Sequence, residues 1–413
     1  MDKIKLIFDV EIMGNSYKQN QTGIYRVAYE LFSRFYKNRD IDLVSANHNY
    51  TDSKDTKSKI REFLSENGLE ADLICNSERK KFVPFRKEKP FRYLYKKLGL
   101  SDFMITYNET EIMDRQMIYH SVYYPINKSL NSFPNVKKIV TIHDLIPILY
   151  PQYNDNTKIL KKTIKSLGKN NYAICVSENT RKDLLLHDPS LDPDKIFVSK
   201  LAASQEIFYP SVDEDKNISV KKKYNLPENY ILSLSTLEPR KNIDHLIRTY
   251  IKTIITHNIN DLYLVLVGSK GWQYDKIFEE YENAKDLKDK IIITGRIPDE
   301  DLAAVYSQAN SFYYMSLYEG FGLPPLEAMQ CGVPTVSSNT SSLPEVVGDG
   351  GILLDPRDEI TLSETIFKFY TNEEFKKEYA KRGLERAKQF SWDKTIEEHI
   401  SIYNTILQIN TAL

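Results

Sequence analysis

The chain has 413 residues, of which 41% are hydrophobic and 27% charged, with a formal net charge of −1. That balance fits a globular protein able to bury sizeable cores, and it excludes the global basic field of a nucleic-acid binder. Cys75, Cys175 and Cys331 are odd in number and far apart, with neither metal-ligand spacing nor a disulfide framework, which suits a reducing compartment.

At roughly 150 residues per domain, the length implies two or three domains. The first apolar run is too short for a signal peptide and is broken by Asp9. No run of 18 apolar residues occurs, so no membrane span is expected. The expected location is therefore the cytoplasm. An abundance of Ile, Lys, Asn and Tyr points to an AT-rich, bacterial genome.

Lys5–Val10 reads as a buried strand. A loop ending at Gly23 follows, then a helix over Ile24–Tyr36 with apolar residues at helical spacing. This is the first unit of a doubly wound sheet. Gly23 either brings the chain close to a ligand at the helix N-terminus or merely starts the helix. Ile41–Ala46 is a second strand and Ser53–Gly68 a polar helix.

Residues 79–97 carry nine Lys/Arg, one acid and several aromatics. The stretch is either a solvated surface segment or a contact for an anionic membrane or a phosphate-bearing acceptor. The membrane alternative would place the protein peripherally at the inner face of the cell membrane.

Ile118–His120, Lys138–Ile142 and Tyr172–Val176 are further short strands. His143 and Asp144 stand just past one strand end and Ser177 past another, the edge where open α/β sheets bind ligands. Ser177 is expected to cap a helix rather than to act as a nucleophile.

A polar stretch near 205–225 reads as a linker, after which the strand–helix pattern restarts. The restart gives two doubly wound domains facing across a cleft, 1–205 and 206–392, with an amphipathic helix over 393–413 packing back on the first.

In the second half, TLEPRKN places Arg240 and Lys241 in a loop after a strand, where two adjacent cations suit a diphosphate. Gly295 in TGRIPDEDL also follows a strand, and could let backbone groups meet a planar base. The stretch EGFGLPPLE is the most specific. Glu319 precedes a Gly320-Phe321-Gly322 turn, Pro324 and Pro325 start a helix, and Glu327 is expected in its first turn. Such a helix start favours an anion, and Glu327 suits a ribose diol.

This E-x7-E stretch resembles the signature of retaining glycosyltransferases of family 4, which have the two-Rossmann GT-B fold. TLEPRKN, VTIHDLIP, VSENTRKDLL, TGRIPDEDL and FSWDKT are similar to that family in order and spacing. The flavour of TLEPRKN resembles mannosyl- and rhamnosyltransferases of surface-polysaccharide assembly.

The resemblance implies transfer of a hexose, with retention, from a nucleoside-diphosphate sugar to a hydroxyl of a glycan, lipid-linked or protein-linked acceptor. GDP-mannose is the first donor expected, with UDP- and dTDP-sugars as alternatives. By the family pattern Glu319 meets the donor sugar, Glu327 holds the ribose, and Arg240 and Lys241 stabilise the departing diphosphate. Backbone groups of Gly320, Phe321, Gly322 and Leu323 would face sugar and phosphate. Gly295, Arg296 and Ile297 would meet the base, His143 the sugar from the other wall, and Gly23 the acceptor.

No metal and no bound cofactor is expected, because no D-x-D pair stands at a strand end. Two departures from the pattern stand out: Ser235-Thr236-Leu237 replaces a common Gly-Arg, and Thr22-Gly23 replaces Gly-Gly. A non-catalytic glycan-binding or chaperone partner of an active transferase remains an alternative, as does a GT-B nucleotide-sugar epimerase.

Overall fold

The computed structural model describes residues 3–17, 23–48, 56–69, 73–76, 106–107, 116–153 and 157–408. The basic stretch 79–97 lies outside the described residues.

The first half is built on β1 (Ile4–Asp9), β2 (Ile41–Ala46), β3 (Leu73–Asn76), β4 (Thr106–Tyr107), β5 (Met117–Ser121), β6 (Val136–Ile142), β7 (Tyr172–Cys175) and β8 (Ile196–Val198). They form one sheet in the order β4-β3-β2-β1-β5-β6-β7-β8. Every pairing is parallel except β3 with β4. The second half uses β9 (Tyr230–Leu234), β10 (Tyr263–Val267), β11 (Ile291–Gly295), β12 (Ser311–Tyr314), β13 (Thr335–Ser338) and β14 (Ile352–Leu354). These make a wholly parallel sheet in the order β11-β10-β9-β12-β13-β14.

Runs such as YLVLV and YILSL are almost continuously apolar because helices cover both faces of a parallel sheet. The helix Ile243–Thr256 buries Ile243, Leu246, Ile247, Tyr250 and Ile254, the spacing that puts one stripe against the sheet. In each sheet the strand order reverses beside the first strand of its half, at β1/β5 and β9/β12, and that reversal opens a crevice at the C-terminal strand ends.

The C-terminal helix, Trp392–Gln408, returns to the first half. Tyr403 is fully buried, and its hydroxyl lies 2.7 Å from His120 Nδ1 on β5. Residues 205–225 do not form a plain linker. They include a helix, Glu214–Lys223, capped by the Asp213 side chain on the Lys216 N–H at 3.0 Å. Its end is fixed by Lys223 Nζ and the Tyr224 hydroxyl, both on Asp301 Oδ2 at 2.8 and 2.7 Å. The acids that read as a linker are thus a cap and first turn favoured by the helix dipole.

The two halves meet at Gly320. A Cβ there would lie 1.9 Å from the His143 carbonyl oxygen and 2.8 Å from Asp144 Cβ. No side chain fits unless the halves separate. Gly320→Ala is therefore expected to hold the cleft open, which small-angle scattering would register as a larger radius of gyration than wild type in a still folded protein. An unchanged radius would mean that the contact is not what sets the closure.

Candidate functional site

The loop after β9 and the loop after β12 flank the reversal point of the second sheet. After β9 the chain runs through a short 3-10 turn, Pro239–Lys241, and then Asn242 at φ +58°. Asn tolerates that left-handed geometry, and its Nδ2 is tied to the Pro356 carbonyl at 2.7 Å. The turn projects Arg240 and Lys241 toward the loop after β12. There Leu317 N–H donates to the Arg240 carbonyl and Arg240 Nη1 donates to the Tyr318 carbonyl, at 2.8 and 2.7 Å.

Four donors converge on one oxygen, Glu319 Oε1: Lys241 Nζ at 2.6 Å, Arg240 Nη1 at 2.7 Å, Ser316 Oγ at 2.6 Å and the Tyr314 hydroxyl at 2.9 Å. Among the described residues none reaches Oε2. Arg240 Nη2 also meets Glu238 Oε1 at 2.6 Å. Burial alone would raise the Glu319 carboxyl, but Arg240 and Lys241 outweigh it and hold it at about 2. Glu319 is thus a firmly ionised, weakly basic acceptor. Burial and the Arg240 charge lower Lys241, against the pull of Glu319.

The turn after Glu319 is locked by the serine pair that follows β13. Ser341 Oγ accepts the Glu319 N–H at 2.9 Å, and Ser342 Oγ donates to the carbonyls of Glu319 and Phe321 at 2.9 and 2.7 Å. Gly322, at φ +124°, caps the helix Leu323–Gln330. Pro324 and Pro325 occupy its second and third positions and carry no N–H. Leu323 is thus the one residue of the first three helical positions that carries an N–H.

Glu327 is not in the first turn, as expected from sequence, but is the fifth helical residue, because the helix already begins at Leu323. It is 6% exposed. Its Oε2 accepts from the Tyr306 hydroxyl at 3.0 Å, and its Oε1 faces Arg26 Nη1 at 3.9 Å. Burial pushes its carboxyl up to about 7, against the opposing effects of Arg26 and Tyr306. In the loop after β11, Gly295 takes φ +74°, Arg296 is exposed, and the Ile297 side chain enters the core.

The opposite wall comes from β5, β6 and β7. His143 Nε2 lies 2.8 Å from the Val122 carbonyl, which can only accept, so the proton sits on Nε2 and Nδ1 is left as an acceptor. Burial lowers this imidazole to about 4, keeping it neutral. The Asp144 carboxyl is raised by burial while its Oδ1 accepts the Ile146 N–H at 2.9 Å. Ser177 is a helix cap, accepting the Thr180 N–H at 3.1 Å, and its hydroxyl also donates to the Gly320 carbonyl at 2.7 Å.

A cavity of about 460 Å³ lies between the walls, lined by His143, Asp144, Arg240 and Glu238 and by the aromatic rings of Tyr123, Tyr153 and Trp272. The structure thus brings His143 and Arg240 to one space, with Lys241 and Glu319 packed directly behind. Glu327 and the 295–297 loop stand along the same strand-end edge. Gly23 begins its helix, and no contact among the described residues requires glycine there.

The sequence reading missed Tyr314, Ser316, Ser341, Ser342 and Arg26. Tyr314 and Ser316 share the alternation phase of Phe312 along FYYMS, a period-2 signal that would have aimed them together. Arg26 carries no such signal, because its partners lie in the other half.

Breaking a buried ion pair costs about 3–5 kcal/mol when the charge left behind has no other partner, and here Glu319 keeps Arg240. Lys241→Met should therefore lower unfolding stability in urea by less than that amount, and Lys241→Met with Glu319→Gln should recover most of the loss. Simple additivity of the two losses would rule out the coupling drawn here.

The family profile described as Glycosyl transferases group 1 matches residues 214–386. O-antigen chain mannosyltransferase B of Escherichia coli is 35% identical over 299 residues, covering 71% of this chain and 75% of that protein. The serotype-specific mannosyltransferase WbdA of Escherichia coli is 30% identical over 295 residues, covering 70% of this chain but only 36% of its own longer length. A solved glycosyltransferase structure from Rickettsia africae superposes with a TM-score of 0.69 at 19% identity, over 98% of this chain and 99% of that one. The two facing doubly wound sheets are thus the GT-B fold. On the strength of these matches, the chain belongs to the group 1 glycosyl transferases.

Proposed function

We propose that this glycosyltransferase moves a hexose, mannose first among candidates, from a nucleoside-diphosphate sugar to a hydroxyl of a glycan, lipid-linked or protein-linked acceptor, with retention and without a metal ion. The observation that carries the reading is the convergence of Arg240 and Lys241 on Glu319 at the reversal point of the second sheet. Two fixed cations in a dry crevice are the groups that stabilise a departing diphosphate. Both relatives are mannosyltransferases by name, which favours mannose, and GDP-mannose follows as the first donor to test.

In this mechanism the diphosphate takes hydrogen bonds from Arg240 and Lys241, which it shares with Glu319. Glu319 Oε2 accepts from the donor sugar hydroxyls. A carboxylate held near 2 is a poor proton acceptor at neutral pH, so Glu319 orients the sugar instead of deprotonating the acceptor. As the bond from the anomeric carbon to the diphosphate oxygen breaks, the acceptor oxygen bonds to that carbon from the same face. Its proton passes to the departing phosphate oxygen.

His143 Nδ1 accepts from the sugar on the opposite wall. The rings of Tyr123, Tyr153 and Trp272 offer flat faces to an acceptor sugar in the cavity. Gly295, Arg296 and Ile297 meet the base, and Glu327 anchors the ribose.

A radiochemical screen with GDP-mannose, UDP- and dTDP-sugars over lipid-linked and glycan acceptors tests the reading. Acceptor-dependent transfer is expected from one donor. Glu319→Gln should lower kcat by about 100-fold or more with little change in nucleotide affinity, and Glu327→Gln should mainly weaken nucleotide binding. Donor binding without transfer to any acceptor would favour the non-catalytic alternative, and sugar isomerisation without acceptor would favour the epimerase.

A further inference from the structure

Arg26 is the fourth residue of the helix Gly23–Lys37 in the first half, yet its guanidinium reaches two acids of the second half. Nη2 pairs with Asp299 Oδ1, at the start of the helix that follows the 295–297 loop. Nη1 faces the buried Glu327 Oε1 at 3.9 Å. We propose that Arg26 is a positioning residue that straddles Asp299 and Glu327 and so favours the ionised form of Glu327 toward the donor ribose. The proposal rests on the reading of Glu327 as the ribose anchor.

The physical case is one of charge count. Glu327 is buried and faces Tyr306 and Asp299 of one helix, Arg26 of another, and Cys331 just beyond its own helix. The helix Glu373–Ala387, packed on the same segment, touches it through Gly383 and Leu384, which do not titrate. Arg26 is the one cation in this set. Without it, two acids repel each other and the buried one retains its proton, as burial already holds its carboxyl near 7.

A protonated carboxyl has fewer acceptor sites for a vicinal diol. The sign follows: losing Arg26 raises the Glu327 carboxyl further, so nucleotide affinity should fall at neutral pH and return as pH rises.

The test is calorimetric titration of GDP, with UDP as a parallel arm, from pH 6 to 9. Wild type should bind with nearly constant Kd above about pH 7.5. Arg26→Gln should bind about ten-fold more weakly at pH 7, approach wild type by pH 9, and be rescued by Arg26→Lys. Glu327→Gln should bind weakly at every pH. Equal weakening of Arg26→Gln across the whole range, or no weakening, overturns the proposal while leaving Glu327 as the anchor. Wild-type affinity in Glu327→Gln overturns the anchor reading itself, and this inference with it.

Discussion

The site depends on a charge balance that must hold before any substrate arrives. Arg240 and Lys241 are nearly buried, with side-chain exposures of 14% and 11%, and two cations cannot stay desolvated there without an anion. Glu319 is the anion both share, and Glu238 pairs with Arg240 as well. Glu319 gathers both cations, a serine and a tyrosine on a single oxygen, and the second oxygen faces no partner among the described residues. The same contacts stitch the loop after β9 to the loop after β12. In the proposed function a diphosphate would share those cations with Glu319, so that the buried carboxylate keeps its counter-charges. The resting ion cluster thus prefigures the loaded one.

Several contacts across the cleft are polar. Gly320 packs against the His143 carbonyl, and the Ser177 and Thr180 hydroxyls both donate to the Gly320 carbonyl. The Glu345 carboxylate accepts the N–H groups of Glu178 and Asn179 at 2.9 and 2.7 Å, capping a first-half helix from the second half. Arg26 adds its charged bridge to Asp299 and Glu327. Contacts of this kind exchange readily with water, unlike a large apolar interface, and suit halves that part and close around substrate.

Much of this was legible in the sequence because it is local. EGFGLPPLE encodes a turn and a helix start within nine residues, and TLEPRKN encodes a turn and its two cations. The parallel strands read as apolar runs, and both halves show the same strand–helix rhythm. What stayed hidden depended on partners distant in the chain. The polar stretch near 205–225 reads as a linker because the anchor of its helix end, Asp301, lies far downstream. Glu327 was placed one turn early because Gly322, rather than the prolines, sets the helix start. Arg26 was passed over because a lone arginine on an amphipathic helix has no local signature, and only the fold brings it to Glu327.

The most direct measurement is a crystal structure with GDP-mannose, or its nonhydrolysable analogue, bound. The account predicts diphosphate oxygens within hydrogen-bond reach of Arg240 and Lys241, a sugar hydroxyl on Glu319 Oε2, and the ribose on Glu327. A nucleotide seated elsewhere, with both cations still closed on Glu319, would contradict it.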